Sequence, residues 1–186
     1  IETHLARLTP PLASQESLEV LALQTLMGIE PIFDLHTARE WIRTFEPPEM
    51  TSNPEDNQET ISKKSNRDQF PTRGLITKLV ESGLLIQHHN NQFCFAHPVF
   101  CGYLARKALT NNQSVALIDQ PTWIGKSMAL YFLSGTSDVS QLIEKLLSVL
   151  DRPLFRNLLA TGRWLREAPR SMPWRGQVMA RLVELL

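Results

Sequence analysis

The chain has 186 residues, which is enough for one domain with a substantial core or for two small domains. Its 19 Lys and Arg residues balance its 19 Asp and Glu residues, so the formal net charge is zero. This balance disfavours a general binder of nucleic acids or anionic membranes, because neutralising phosphate requires an excess of basic residues on one face.

The two cysteines, Cys94 and Cys101, lie in apolar segments and are not arranged at metal-ligand spacing. We interpret both as reduced core residues of a cytoplasmic protein. No apolar run approaches the roughly 18 residues that a membrane span requires, and no signal peptide is visible, so a membrane is not an expected partner. Because the chain begins at Ile1 and not at Met, we expect it to be a fragment of a longer protein.

The N-terminal segment is predicted to lead into the first core helix. Residues 1–12 form a predicted connecting arm, because Pro10 and Pro11 favour extended geometry at its end. Ser14 is a candidate helix cap, and the helix that follows it is apolar on more than half of its circumference. Gly28 is expected to end this helix, which the pattern assigns to a core.

Two shorter helices and a long polar stretch follow. The second helix is predicted over residues 34–45 or 36–45. The stretch of about residues 46–70 is polar and charged, so it cannot bury enough apolar area to offset the entropy of ordering. We predict a flexible insertion there, with a functional loop as the alternative. Thr72 is then expected to cap a third helix over residues 73–82.

A hairpin and a sharp corner come next in the chain. Two short strands are predicted on either side of a turn at Asn90 and Asn91. The second strand alternates, with Phe93 and Phe95 on one face, which is the period of a half-buried strand. The chain then turns at His97 into an amphipathic helix, and the proline after this histidine suits the first helical position. The pattern therefore puts an imidazole at the start of a helix.

Three helices followed by a hairpin are the element order of a winged helix-turn-helix. We predict a mainly α protein, with a winged helix-turn-helix and a two-stranded β wing over residues 13–109. Residues 110–186 are predicted to be wholly helical, with helices of roughly ten to thirteen residues joined by short loops. This second part is predicted to be an α-helical hairpin or repeat-like domain.

The run FAHPVFCGYLA, residues 95–105, resembles the F-x-H-x-x-F-x-E-Y-L-A-A signature of the winged-helix domain in NACHT-type STAND NTPases. This class includes the NOD-like receptors. The chain departs from the pattern at Cys101, at Gly102, where the family usually has an acidic residue, and at Arg106. The positions that match are Phe95, His97, Phe100, Tyr103, Leu104 and Ala105.

The resemblance implies a role for each matching position. In the family, the histidine equivalent to His97 reaches the β-phosphate of bound ADP and helps to hold the closed, inactive state. Phe95, Phe100, Tyr103 and Leu104 would pack the signature helix. The placement of two tryptophans in the C-terminal helices also resembles the HEAT-like repeats that follow the winged helix in many bacterial NACHT proteins.

The function that the resemblance implies is regulatory signal transduction without catalysis. The chain would couple the nucleotide state of an upstream nucleotide-binding domain of the same polypeptide to downstream sensor repeats. ADP or ATP would bind the parent protein, and activation would involve self-oligomerisation. No cofactor and no catalytic residue are expected in this fragment, because it has no phosphate-binding loop.

Two alternatives remain open at this stage. In a DNA-binding winged-helix regulator, the third helix would enter the major groove with Arg73, Thr77 and Lys78 outward. Glu81 lies beside them, so nucleic acid is a less expected partner. The other alternative is a helical protein-interaction scaffold that binds neither nucleotide nor DNA.

Three further patterns have simpler interpretations. Gly-Lys-Ser at residues 125–127 lacks the first glycine of a phosphate-binding loop, so a helix explains it better. His88 and His89 have no Cys, Asp or Glu at ligand spacing, so we predict a solvated turn and no metal site. Arginines of the C-terminal helices are expected to form a solvated face, with partner docking as the alternative. These are Arg156, Arg163, Arg166, Arg170 and Arg175.

Overall fold

A computed structural model describes residues 1–9, 14–43, 71–149 and 154–185. The polar insertion predicted at about residues 46–70 therefore lies outside the described residues. Within the described ranges, the chain is mainly helical with a small antiparallel sheet. The helices are α1 (Glu2–Leu8), α2 (Gln15–Met27), α3 (Leu35–Ile42), α4 (Pro71–Glu81), α5 (Pro98–Ala108), α6 (Asn111–Ile118), α7 (Ile124–Ser134), α8 (Ser140–Ser148), α9 (Arg156–Trp164) and α10 (Arg175–Val183). The strands are β1 (Phe33–Asp34), β2 (Leu85–Gln87) and β3 (Gln92–Phe95).

The start of the chain differs from the predicted connecting arm, because Glu2–Leu8 forms α1. Leu5 is buried, and the Tyr103 hydroxyl donates a hydrogen bond to the Glu2 carboxylate. The prediction of an extended backbone rested on Pro10 and Pro11 alone. The helix forms because its apolar residues have a surface to cover, which only the folded chain supplies.

The first core helix begins and ends as predicted, and α3 begins at one of its two predicted starts, but one predicted cap is wrong. The Ser14 hydroxyl accepts the Ser17 N–H at the start of α2, and Gly28 ends this helix. Asp34 caps α3 by accepting the Thr37 N–H. The exception is α4, which begins at Pro71, so Thr72 lies inside the helix and is not its cap.

The sheet has three strands in the order β1-β3-β2, so the prediction of only two strands was incomplete. β1 pairs with β3 through Phe33 and Phe93, and β2 pairs with β3 through Leu85 and Phe95. The third strand was missed because two residues are too few to show alternation. The hairpin turn was predicted correctly, since Asn90 and its neighbour adopt the left-handed φ values that asparagine tolerates.

Helix α5 lies at the centre of the molecule. It packs against α2 on one side and against α7 on the other. Farther along, α6 packs on α8, which contacts α9, and α9 contacts α10. One continuous core of buried apolar side chains extends from Leu5 to Val178. None of the described helices is long and apolar enough to cross a membrane.

Candidate functional site at the start of helix α5

His97 occupies the corner between β3 and α5, where its backbone is extended and its side chain is exposed. Pro98 follows at the first helical position, so the helix starts where the sequence predicted. The imidazole Nδ1 accepts the backbone N–H of Val99 at 3.2 Å. His97 is therefore the N-cap of α5 and satisfies one of the amide groups that a helix start leaves unpaired.

This cap bond determines which ring nitrogen of His97 can donate. Because Nδ1 accepts a hydrogen bond, the proton of the neutral imidazole resides on Nε2. The Phe100 ring lies edge-on to the imidazole, with centroids 6.1 Å apart. Since the side chain is exposed, His97 presents an N–H donor to the outside at the N-terminal end of a helix, where the helix dipole favours an anion.

The apolar signature positions divide between the core and the surface of α5. Phe95 and Leu104 are buried, at 7% and 6% exposure. Phe100 and Tyr103 are only half-buried and pack against the edge of the core. The Tyr103 ring packs edge-on against the Phe132 ring of α7, with centroids 5.4 Å apart, so it links α5 to α7. All four side chains therefore help to hold α5 in its position in the fold.

Two of the three departures from the signature, Cys101 and Gly102, lie at buried positions of α5. Cys101 is fully buried, and its Sγ lies 3.6 Å from the Ala22 carbonyl oxygen of α2. A Cβ atom added at Gly102 would lie 2.8 Å from the backbone nitrogen of Ala129 and 3.0 Å from the Gly125 carbonyl oxygen. An acidic side chain has no space there, which explains the departure at Gly102.

Arg106, the third departure, belongs to a polar contact with α1. Its guanidinium carbon lies 4.0 Å from the centroid of the Tyr103 ring, and its Nη2 lies 3.9 Å from the Glu2 carboxylate. The same carboxylate accepts from the Tyr103 hydroxyl, which lowers the pKa of Glu2. This side of α5 is therefore partly covered by α1, whereas His97 is exposed.

The alternative DNA-binding residues lie on α4, apart from the His97 corner. Thr77 is exposed, whereas Lys78 is half-buried, and the side chain of Arg73 lies outside the described set. Glu81 is exposed on the same helix. The described part of α4 thus presents one half-buried cation beside a carboxylate, which is a weak basis for phosphate contacts.

The β2–β3 hairpin holds a thiol beside an imidazole. His88 Nε2 lies 3.2 Å from Cys94 Sγ, and burial raises the pKa of this half-buried thiol. A raised pKa disfavours the thiolate that a nucleophile or metal ligand requires. His89 lies in the exposed turn. Within the described residues, no three His, Cys, Asp or Glu side chains form a potential metal-binding group.

Two basic residues have structural roles that the sequence did not show. Lys126 lies inside α7, as predicted, but it is buried at 2% exposure and donates to Gln120 Oε1 at 2.9 Å. Arg175 was expected on a solvated face. It is half-buried and donates to the carbonyl oxygens of Leu165 and Ala168, which ties α10 to the end of α9. The other four arginines of that group are exposed.

One concave site was not anticipated from the sequence. A cleft of about 510 Å³ lies between the end of α2, β1 and α3, and Glu30, Asp34 and Trp41 contribute to its lining. Trp41 lies within the predicted second helix. The sequence signal that could have indicated an exposed rim is the pair Ile29 and Glu30, which directly follows the end of α2 at Gly28.

Comparison with known proteins identifies no relative, since no family model, no curated protein and no solved structure matches the chain. The resemblance of residues 95–105 to the NACHT signature therefore stays a prediction.

Proposed function

We propose that this chain is the regulatory region of a NACHT-type STAND NTPase, with a winged helix followed by a helical repeat-like part. The region would couple the nucleotide state of a preceding domain to a sensor that follows. It would carry out no chemistry itself, and the parent protein would bind ADP or ATP.

The arrangement of elements supports the winged-helix part of this proposal. A strand precedes the second of three helices, and it pairs with the hairpin that follows the third. The pairing of β1 with β3 completes a small sheet beside the helices, and the exposed β2–β3 turn would be the wing. In the second part, α6 packs on α8, and the consecutive helices α8, α9 and α10 contact one another in turn. Contacts between neighbouring units are what a helical repeat-like arrangement would have.

The observation that carries the proposal is the geometry of His97. Its Nδ1 is occupied by the Val99 N–H, so its outward donor is Nε2–H. A phosphate oxygen at that position would accept this hydrogen bond and would also lie at the start of α5, where the dipole is favourable. The imidazole is held by the cap bond, so little side-chain freedom is lost when an anion binds.

His97 would act as one contact in a two-state element. With ADP bound, its hydrogen bond to the β-phosphate would hold the winged helix against the nucleotide-binding domain. Because a ligand shifts an equilibrium only by its differential affinity for the two states, losing this contact should favour the open state. A hydrogen bond to a charged group contributes about 1.5–3 kcal/mol, which corresponds to roughly a tenfold to hundredfold shift.

The proposal is tested in the full-length parent protein by measuring bound nucleotide after purification. The decisive variant is His97→Asn, because asparagine is a good N-cap and keeps the acceptor but removes the distal N–H donor. We expect wild type to purify with ADP and His97→Asn to retain at least about tenfold less.

The matched control is His88→Ala, which removes an exposed histidine of the same domain that lies on the wing. This variant should retain ADP as wild type does. A parent protein without nucleotide, or equal nucleotide content in wild type and His97→Asn, would overturn the proposal.

A further inference from the structure

The cleft beside β1 has a composition that selects a particular kind of ligand. It has a volume of about 510 Å³ and opens at the edge of the sheet, between the C-terminal end of α2 and the start of α3. β1 is an edge strand of the described sheet, with β3 on its other side. Its lining includes the side chains of Gln24, Ile29, Glu30, Asp34, Trp41 and Gln92.

The charge of the cleft is negative. Glu30 and Asp34 both line it, and none of the described residues in its wall is Lys, Arg or His. Asp34 is held ionised, because its carboxylate accepts the Thr37 N–H at 2.8 Å and this hydrogen bond lowers its pKa. Glu30 is exposed at the rim. A cation is therefore the complementary ligand, and nucleic acid is excluded by like charge.

The wall also offers an aromatic surface. Trp41 is half-buried, and its ring packs against the Phe33 ring with centroids 5.6 Å apart. Phe33 itself is only 4% exposed, so the tryptophan supplies the accessible face. Tryptophan is the best aromatic partner of a cation, and arginine uses this interaction more often than lysine.

We propose that this cleft binds an arginine side chain carried by an extended segment of a partner protein. A guanidinium can stack on the Trp41 ring while its N–H groups reach the Glu30 and Asp34 carboxylates, which a lysine ammonium cannot do in the same planar way. The amides of Gln24 and Gln92 add neutral hydrogen-bonding groups in the wall.

The rim favours a peptide over a small free cation. Ile29 is 76% exposed directly beside Glu30, so an apolar neighbour of the arginine would have a surface to cover. Within the described sheet, β1 has no strand on its outer side, so it can also receive the main chain of an extended segment by strand addition. This inference goes beyond the proposed nucleotide switch and does not depend on His97.

The test is a titration of this chain with short peptides. Binding is monitored through the indole N–H signal of Trp41 in a two-dimensional ¹⁵N NMR spectrum. The probes are an acetylated hexapeptide with one arginine between apolar residues, and the same peptide with lysine or with uncharged citrulline. Trp164 and Trp174 are buried and serve as internal references. We expect the arginine peptide to shift the Trp41 signal and the citrulline peptide to bind about tenfold more weakly.

The decisive variant is Glu30→Gln, which keeps the shape of the rim and removes one charge. It should weaken binding of the arginine peptide about threefold to fivefold, and Glu30→Gln with Asp34→Asn should weaken it further. Asparagine retains a capping oxygen for α3, so the double variant should remain folded. Glu144→Gln, an exposed glutamate on α8, is the matched control and should bind as wild type does.

Four outcomes would overturn the inference. Equal binding of the arginine and citrulline peptides would remove the charge argument. An unchanged affinity in Glu30→Gln, or shifts that leave the Trp41 signal in place, would put the binding site elsewhere. Concentration-dependent self-association that is lost in Glu30→Gln, without peptide binding, would identify a second copy of this chain as the occupant. None of these readouts involves nucleotide, so their failure is separable from failure of the proposed switch.

Discussion

The crossing of α5 with α7 and the pairing of α9 with α10 both contain glycines, but the two helix pairs use them differently. A Cβ atom at Gly102 would lie 2.8 Å from the backbone of α7. At Gly162 of α9, the nearest atom would be a terminal carbon of Leu182 at 3.4 Å, and at Gly176 of α10 nothing lies within 4 Å. The first pair is therefore in backbone contact at Gly102, whereas Gly162 faces only the end of an α10 side chain and Gly176 is exposed.

This difference explains where the chain can deviate from the signature that it resembles. On α5, position 102 is a glycine where the signature has an acidic residue, and α7 lies directly against that position. His97, at the exposed start of the same helix, matches the signature. Packing thus constrains the middle of α5, while its start is available for an interaction with another domain or ligand.

The largest expected effect is that of Gly102→Ala. The added methyl group must push two helix backbones apart, so overpacking should cost about 1–3 kcal/mol in the free energy of unfolding despite the better helix propensity of alanine. Gly176→Ala is the matched control, and it should stabilise the protein by about 0.5–1 kcal/mol, because the methyl group meets no atom. Urea unfolding measures both. Equal changes in the two variants would contradict the close crossing.

A smaller effect is expected from pH, through Cys101 on the α2 side of α5. Burial raises the pKa of this thiol in the folded state, whereas in the unfolded chain it ionises near pH 8.5. Its contribution to stability is therefore complete below about pH 8.5 and is lost as pH rises, by about 1.4 kcal/mol for each pH unit.

The contribution of Cys101 is isolated by comparing wild type with Cys101→Ala, because Tyr103, Tyr131 and Lys126 also have shifted pKa values. Between pH 8.5 and 10, the free energy of unfolding should fall more steeply in wild type than in this variant. The difference in slope should be about 1.4 kcal/mol for each pH unit. Parallel pH profiles would show that the site is open to water. Cys94→Ala, at a half-buried position, should change the slope less.

The smallest expected effect concerns the exposed start of α5. His97→Ala removes the acceptor of the Val99 N–H and should cost about 0.5–1 kcal/mol in the free energy of unfolding. His97→Asn keeps an acceptor and should be as stable as wild type. Thermal unfolding of the two variants measures this difference. If both variants are equally destabilised, the imidazole contributes through packing against Phe100 and not as a cap.

Local features of the fold could be predicted from the sequence because short-range chemistry determines them. The caps at Ser14 and Asp34, the turn at Asn90 and the helix start after His97 all depend on residues within four positions along the chain. The alternation of Phe93 and Phe95 likewise requires no knowledge of what lies opposite. The position of His97 at the start of a helix could therefore be predicted from the sequence alone.

Only the tertiary structure decided which of these elements meet. The contacts of the α1 helix, the third strand and the cleft beside Trp41 each depend on residues far apart in the sequence. Two-residue strands and helix crossings carry too few residues to produce a periodic signal. The space around a glycine depends on the backbone packed against it, so the sequence at Gly102 shows a departure whose cause is visible only when α7 is in place.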